Sequence, residues 1–114
     1  MTLRQKQSLF AELFAELILW AISQGYEVTH GETWRPTFTA EEYARRGIGI
    51  KTSNHGKRLA GDLNLFLGGK YLTTTEDHRP LGEKWKTMDP LCRWGGDFRR
   101  RDGNHYSLEH GGRA

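Results

Sequence analysis

The segment Asp62-Leu-Asn-Leu-Phe-Leu-Gly-Gly constrains the fold most tightly. Leu63, Leu65 and Leu67 alternate with Asp62, Asn64 and Phe66, so an extended backbone sets three leucines on one face. Gly68-Gly69 suits a hairpin turn, and Lys70 to Thr73 returns as the next strand. A sheet with one apolar face needs a partner layer. Helical spacing of Phe10, Leu13, Phe14, Leu17, Trp20 and Ala21 supplies one. Glu12, Glu16 and Ser23 fall off that stripe, which predicts an amphipathic helix over 3–24, ended by Gly25.

The remaining segments fill in the same architecture. Tyr26 to His30 reads as a short strand, and Gly31 to Phe38 as a loop in which Pro36 discourages helix. Thr39-Ala-Glu-Glu has the form of a capping box, predicting a short helix over 40–46. Thr75 to Met88 reads as a helix packing Leu81 and Trp85, with Pro80 early in it. Arg93 to Phe98 is a glycine-broken segment, and Asp102-Gly-Asn a turn. From His105 to Glu109 alternation returns, with Tyr106 and Leu108 opposite His105, Ser107 and Glu109. The expected class is α+β, a small antiparallel sheet with packed helices, in one domain over 1–114.

Composition narrows the function classes. A mean hydropathy of -0.74 is offset by 4 Trp, 4 Tyr and 5 Phe, enough to build an interior that a disordered chain lacks. Lys and Arg total 17 against 14 Asp and Glu, a net charge of +3. That is a weak attraction to anionic polymers and does not choose between nucleic acid and cell wall. Cys92 is the single cysteine, which excludes an internal disulfide and a multi-cysteine zinc site. It reads as a small packed residue. Arg4 and Lys6 precede an apolar stretch, but Glu12 and Glu16 interrupt it and no small-residue cleavage site follows. No segment reaches the roughly 20 apolar residues of a membrane span, so no stable membrane insertion is expected.

Two polar clusters are candidates for chemistry. His55 lies in a glycine-flanked loop after Ser53-Asn54, and Asp62 opens the leucine strand on its polar face. Asp102 and His105 flank a turn entering the last strand. Together they offer two imidazoles and a carboxylate as ligands, with a second carboxylate beside them. Three protein ligands and an open fourth position suit catalytic zinc. The same donor set suits non-haem iron, although such enzymes are usually larger. Spacing alone also fits solvated or simply hydrogen-bonded His and Asp pairs. His30, His78 and His110 read as surface or packing histidines, and Arg99-Arg100-Arg101 as a solvated turn or an attractor for anions. Trp94 reads equally as core or cleft lining.

Ser53-x-His55-x4-Ala60-x-Asp62 resembles the S-x-H-x-x-G-x-A-x-D motif of the D-Ala-D-Ala and L-Ala-D-Glu zinc peptidases of bacterial cell walls. Asp102-x-x-His105 resembles that family's second motif, D/E-x-x-H. Asp62-Leu-Asn-Leu-Phe, Leu81-Gly-Glu-x-Trp85 and Arg93-Trp-Gly-Gly-Asp-Phe98 are similar to its short phage endolysin branch. The resemblance runs from about Thr33 to His110. It implies a Hedgehog/DD-peptidase-like fold with His55, Asp62 and His105 as Zn2+ ligands and Asp102 as the catalytic acid/base. Arg35, in Thr33-Trp-Arg-Pro, resembles the upstream arginine that steadies the substrate carbonyl or developing oxyanion. One such donor is commonly worth ~3 kcal/mol of barrier.

The resemblance further implies an endolysin that cuts the peptidoglycan stem peptide at L-alanyl-D-glutamate. A D-Ala-D-Ala carboxypeptidase or dipeptidase on the same fold is the alternative. A catalytically dead wall binder and a small basic nucleic-acid-binding module are the rivals from other classes. No helix-turn-helix or aromatic RNA-binding motif supports the latter, so no nucleic-acid partner is expected. The enzyme is expected to be a monomer that waits in the host cytoplasm and acts in the periplasm or cell wall after holin-mediated release. One position departs from the family pattern. Arg58 stands where glycine is usual, and a glycine needing positive φ would leave Arg58 strained. A locally different loop path is therefore expected.

Overall fold

The computed structural model describes residues 1–31 and 57–114. The loop expected after Gly31 and the helix expected over 40–46 lie outside the described residues. Helix α1 spans Leu3–Ser23. The Thr2 hydroxyl accepts from the Gln5 amide while the Gln5 side chain accepts from the Thr2 amide, a capping box at its start. At its end, Gly25 N donates to Ile22 O and Tyr26 N to Ala21 O, the paired bonds of a Schellman turn. Phe10, Leu13, Phe14, Leu17 and Ala21 are buried, while Trp20 is only half-buried. Among the described residues no helix is long and apolar enough to cross a membrane.

The strands are β1 (Glu27–His30), β2 (Ala60–Leu67), β3 (Lys70–Leu72), β4 (Cys92–Trp94) and β5 (His105–Leu108), and helix α2 covers Thr75–Met88. They form one antiparallel sheet in the order β1-β2-β5-β4, with β3 also on β2. Strand β2 is the spine. Along one edge it pairs β1 through Leu63 to Phe66. Along the other it pairs β5 through Ala60 to Asp62, then β3 through Leu65 to Leu67. Between those stretches β5 and β3 diverge, and Leu63 N instead donates to Asn104 O at 3.0 Å. Gly68 and Gly69 have φ of 58° and 80°, the left-handed pair that a two-residue hairpin requires.

Leu63 and Leu65 are fully buried, but Leu67 is 47% exposed. The alternation is right, yet Leu67 sits at the hairpin end, beyond the cover of the helices. Strand β5 departs from alternation differently, because all four of its residues are buried. It lies between β2 and β4, with apolar packing on one face and the site on the other.

The core joins both helices to the sheet through aromatic rings. Phe10 and Phe14 stack at 4.9 Å, and both meet Trp85 of α2 edge-on, at 5.9 and 6.3 Å. Trp85 meets Tyr106 of β5 in the same way at 6.3 Å. The Trp85 indole N–H is shared by the carbonyls of Arg93 and Ser107, tying α2 to β4 and β5. Full burial of each large apolar side chain contributes about 1.5–3 kcal/mol. Cys92 belongs to this core, and burial pushes its thiol up to about 12, so it stays protonated and unreactive.

Arg58 lies just before β2 with φ of 56°. Arg58 itself thus adopts a left-handed turn, while the loop that was expected to take a different path lies outside the described residues. A non-glycine residue there carries a cost of about 1–2 kcal/mol.

Candidate active site

The alternation of β2 and the turn before β5 bring the two sequence clusters to one point. Asp62 and His105 are direct register partners across the β2–β5 pair. Neighbouring side chains on one face of an antiparallel pair sit about 4.5–5.5 Å apart at Cβ. Here His105 Nδ1 lies 3.5 Å from Asp62 Oδ1. Asp102 reaches the same place from the turn. One donor atom from each of Asp62, Asp102 and His105 lies within 4.8 Å of the others. The His105 side chain is 5% exposed and that of Asp62 18%, whereas Asp102 is exposed. Imidazole and carboxylate donors at that separation fit a borderline-soft divalent cation such as zinc. The other expected site residues, His55 and Arg35, lie outside the described residues, as does Ser53.

Local hydrogen bonds hold the Asp102–His105 turn. Asp102 N donates to Gly95 O at 2.9 Å, and His105 N donates to Asp102 O at 3.1 Å. The Trp94 indole N–H donates to Gly103 O at 2.7 Å. A 3-10 turn, Gly95–Asp97, brings the backbone so close that a Cβ on Gly95 would overlap the Asp102 carbonyl and come within 2.8 Å of His105 Cβ. Glycine is therefore required at 95 by close approach, not by φ. On the other side, Gly31 N donates to Asp62 O at 2.8 Å, fixing the backbone of that carboxylate. Trp94 is 1% exposed, with Arg79 and Lys86 over its ring, so it is a core residue that holds the turn rather than cleft lining.

A second pair braces the strand. His78 of α2 is buried, and its Nδ1 lies 2.8 Å from the Tyr106 hydroxyl. Desolvation lowers the His78 pKa, with the Asp77 charge opposing it, and burial raises that of Tyr106. Tyrosine therefore keeps its proton and donates to neutral histidine. In the sequence His78 reads as a surface or packing residue; it is buried, and its Tyr106 partner was not foreseen. The roles of Trp94, Gly95 and the His78–Tyr106 pair all depend on contacts distant along the chain. The only local signal was the Trp94-Gly-Gly segment.

Beside Asp102 is a cleft of about 230 Å³. It opens where β3 and β5 diverge from β2, and Leu63, Leu72, Thr75, Arg101 and Asn104 are among the residues lining it. Of the three donor residues Asp102 lines this concave surface, so the cleft adjoins the cluster on the Asp102 side.

No protein-family model matches the chain, and no curated protein does either. Among solved structures, the fold is similar to the crystal structure of Serratia marcescens L-Ala D-Glu endopeptidase ChiX. The TM-score is 0.71 at 19% sequence identity, covering 87% of this chain and 79% of that one. A likeness at this identity establishes the shared fold, and function has to be argued from the site.

Proposed function

We propose that the chain is a metal-dependent peptidoglycan peptidase that hydrolyses an amide of the stem peptide, L-alanyl-D-glutamate in particular. The observation carrying this reading is the convergence of Asp62, His105 and Asp102, the last of which also lines the cleft. The fold shared with an L-Ala D-Glu endopeptidase supports the substrate class. Asp62 and His105, joined by His55 as the sequence motif implies, would hold zinc. Zinc, when bound, supplies a Lewis acid that polarises the scissile carbonyl and acidifies water. Asp102 is the exposed member of the cluster and also lines the cleft. It takes the proton of the attacking water and returns it to the leaving amine. Arg35 would hold the carbonyl oxygen as negative charge develops there. The buried setting of His105 keeps the imidazole oriented, and the cross-strand register keeps Asp62 beside it.

The proposed setting is that of a monomeric phage endolysin, made in the host cytoplasm and released to the wall by a holin. The test is lysis of outer-membrane-permeabilised Gram-negative cells, with the mass of each released muropeptide recorded. Activity should vanish on chelation and return with zinc. Asp102→Ala should retain zinc yet leave the wall intact. Lysis indifferent to both chelator and Asp102 would overturn the reading, and a product ending in a freed D-Ala would move the cut to D-Ala-D-Ala.

A further inference from the structure

The cleft beside Asp102 has a chemistry of its own. Thr73, Thr74, Thr75 and Asn104 line it, with the Thr74 hydroxyl accepting from Asp77 N as the cap of α2. Arg101, the residue before Asp102, adds a cation. At about 230 Å³ the space is below the roughly 300–1,000 Å³ of drug-sized pockets, so it suits one amino-acid residue. Arg101 is exposed and makes no ion pair with a described residue. The nearest acid on α2, Glu76, is committed elsewhere: both its carboxylate oxygens accept from Arg79 at 2.8 Å. His78 also faces the cleft, where burial keeps it neutral. Thr75 begins the 14-residue α2, whose amino end is already capped by Thr74 and Asp77. Asp102 is the opposing charge in the cleft lining.

We propose that Arg101 and the threonine wall bind the free carboxylate of the residue on the amine side of the cut. This rests on the peptidase reading above. The chemistry follows from where Asp102 must act. Its proton goes to the scissile nitrogen, and the first carboxyl of the leaving residue is two bonds from that nitrogen. Glutamate has two carboxyl groups, and a peptide that continues through the side-chain carboxyl leaves the α-carboxylate ionised. An arginine adjacent in sequence to the proton donor is placed to receive it, by a charge-assisted pair. The cleft thereby distinguishes a D-glutamate residue from its α-amidated form, D-isoglutamine.

The test uses two peptides that differ only at this group: acetyl-L-Ala-D-Glu extended through the γ-carboxyl, and its α-carboxamide. The zinc-loaded full chain should cleave the carboxylate form with a kcat/KM about 10- to 100-fold higher, the range for a hydrogen bond to a charged group. Arg101→Gln should collapse that ratio to near one, whereas Arg99→Gln, the same charge change outside the cleft, should preserve it. A second readout is independent of turnover. The corresponding amine products are titrated into 15N-labelled protein while the Thr73–Thr75 and Asn104 amides are followed. The carboxylate product should bind more tightly by a similar factor, and only Arg101→Gln should abolish the difference. Cleavage without carboxylate preference, or a preference that survives Arg101→Gln, would overturn the subsite and leave the peptidase reading intact. Selective, Arg101-dependent binding without cleavage of either peptide would do the reverse. Equal binding of both products would overturn the subsite whatever the cleavage result.

Discussion

Gly95→Ala probes the support of the Asp102–His105 turn without touching a polar side chain. The added Cβ would overlap the Asp102 carbonyl and lie 2.8 Å from His105 Cβ, whereas ordinary contact begins at 3.4 Å. Relief requires roughly 0.6 Å of movement on the His105 side, the difference between those distances, and more on the Asp102 side. Both obstacles are backbone or Cβ atoms, so no rotamer change absorbs the clash. The turn must swing outward, which stretches the Asp102 N to Gly95 O bond of 2.9 Å. Overpacking of this kind costs about 1–3 kcal/mol of stability. For a domain of this size that lowers Tm by about 4 °C or more per kcal/mol. The functional loss should be larger. A misplacement near 1 Å at a reacting group costs about 100-fold in rate. Zinc affinity should fall as well, because His105 moves with the turn. Thermal unfolding, competition for zinc against a chromophoric chelator, and muropeptide hydrolysis measure the three effects separately. A variant with wild-type Tm and full hydrolysis would refute the view that Gly95 sets the positions of Asp102 and His105.

Three further outcomes are expected. Ser107 is fully buried and its hydroxyl has no hydrogen-bond partner among the described residues, so Ser107→Ala should raise stability by about 1 kcal/mol in urea unfolding. At position 58, Gly should exceed Ala in stability by about 1 kcal/mol, since both variants lose the arginine side chain and only glycine accepts a φ of 56° without strain; equal midpoints would contradict this. The pKa of buried His78 is lowered below 6.5, chiefly by desolvation, so the unfolded chain binds its proton more readily. Its contribution is therefore complete above about pH 6.5 and declines as pH falls from there through the folded value. Urea midpoints between pH 7.5 and 5 should show a shallower acid loss for His78→Asn, which keeps an acceptor for the Tyr106 hydroxyl.

Short-range patterning was enough for most of the secondary structure. The α1 stripe, the leucine alternation of β2 and the Gly68-Gly69 turn each express a repeat or a conformational preference local to the chain. The polar clusters were equally legible as motifs, because Asp62 heads the leucine alternation and Asp102 and His105 flank a turn. Their meeting was not legible. It required β2 to pair with β5 in the register that sets Asp62 opposite His105, and a slip of one residue would leave the two side chains on opposite faces. Tertiary packing alone decided the rest. Leu67 is exposed because the hairpin runs past the helices, and β5 is buried on both faces because it lies inside the sheet. Arg58 holds a left-handed φ that no local glycine signal announced. Trp94, Gly95 and the His78–Tyr106 pair brace the site through contacts up to 28 residues apart, and the cleft exists because β2 exchanges one partner strand for another. Periodicity records which side of an element seeks the core, whereas register and close approach depend on which elements meet there.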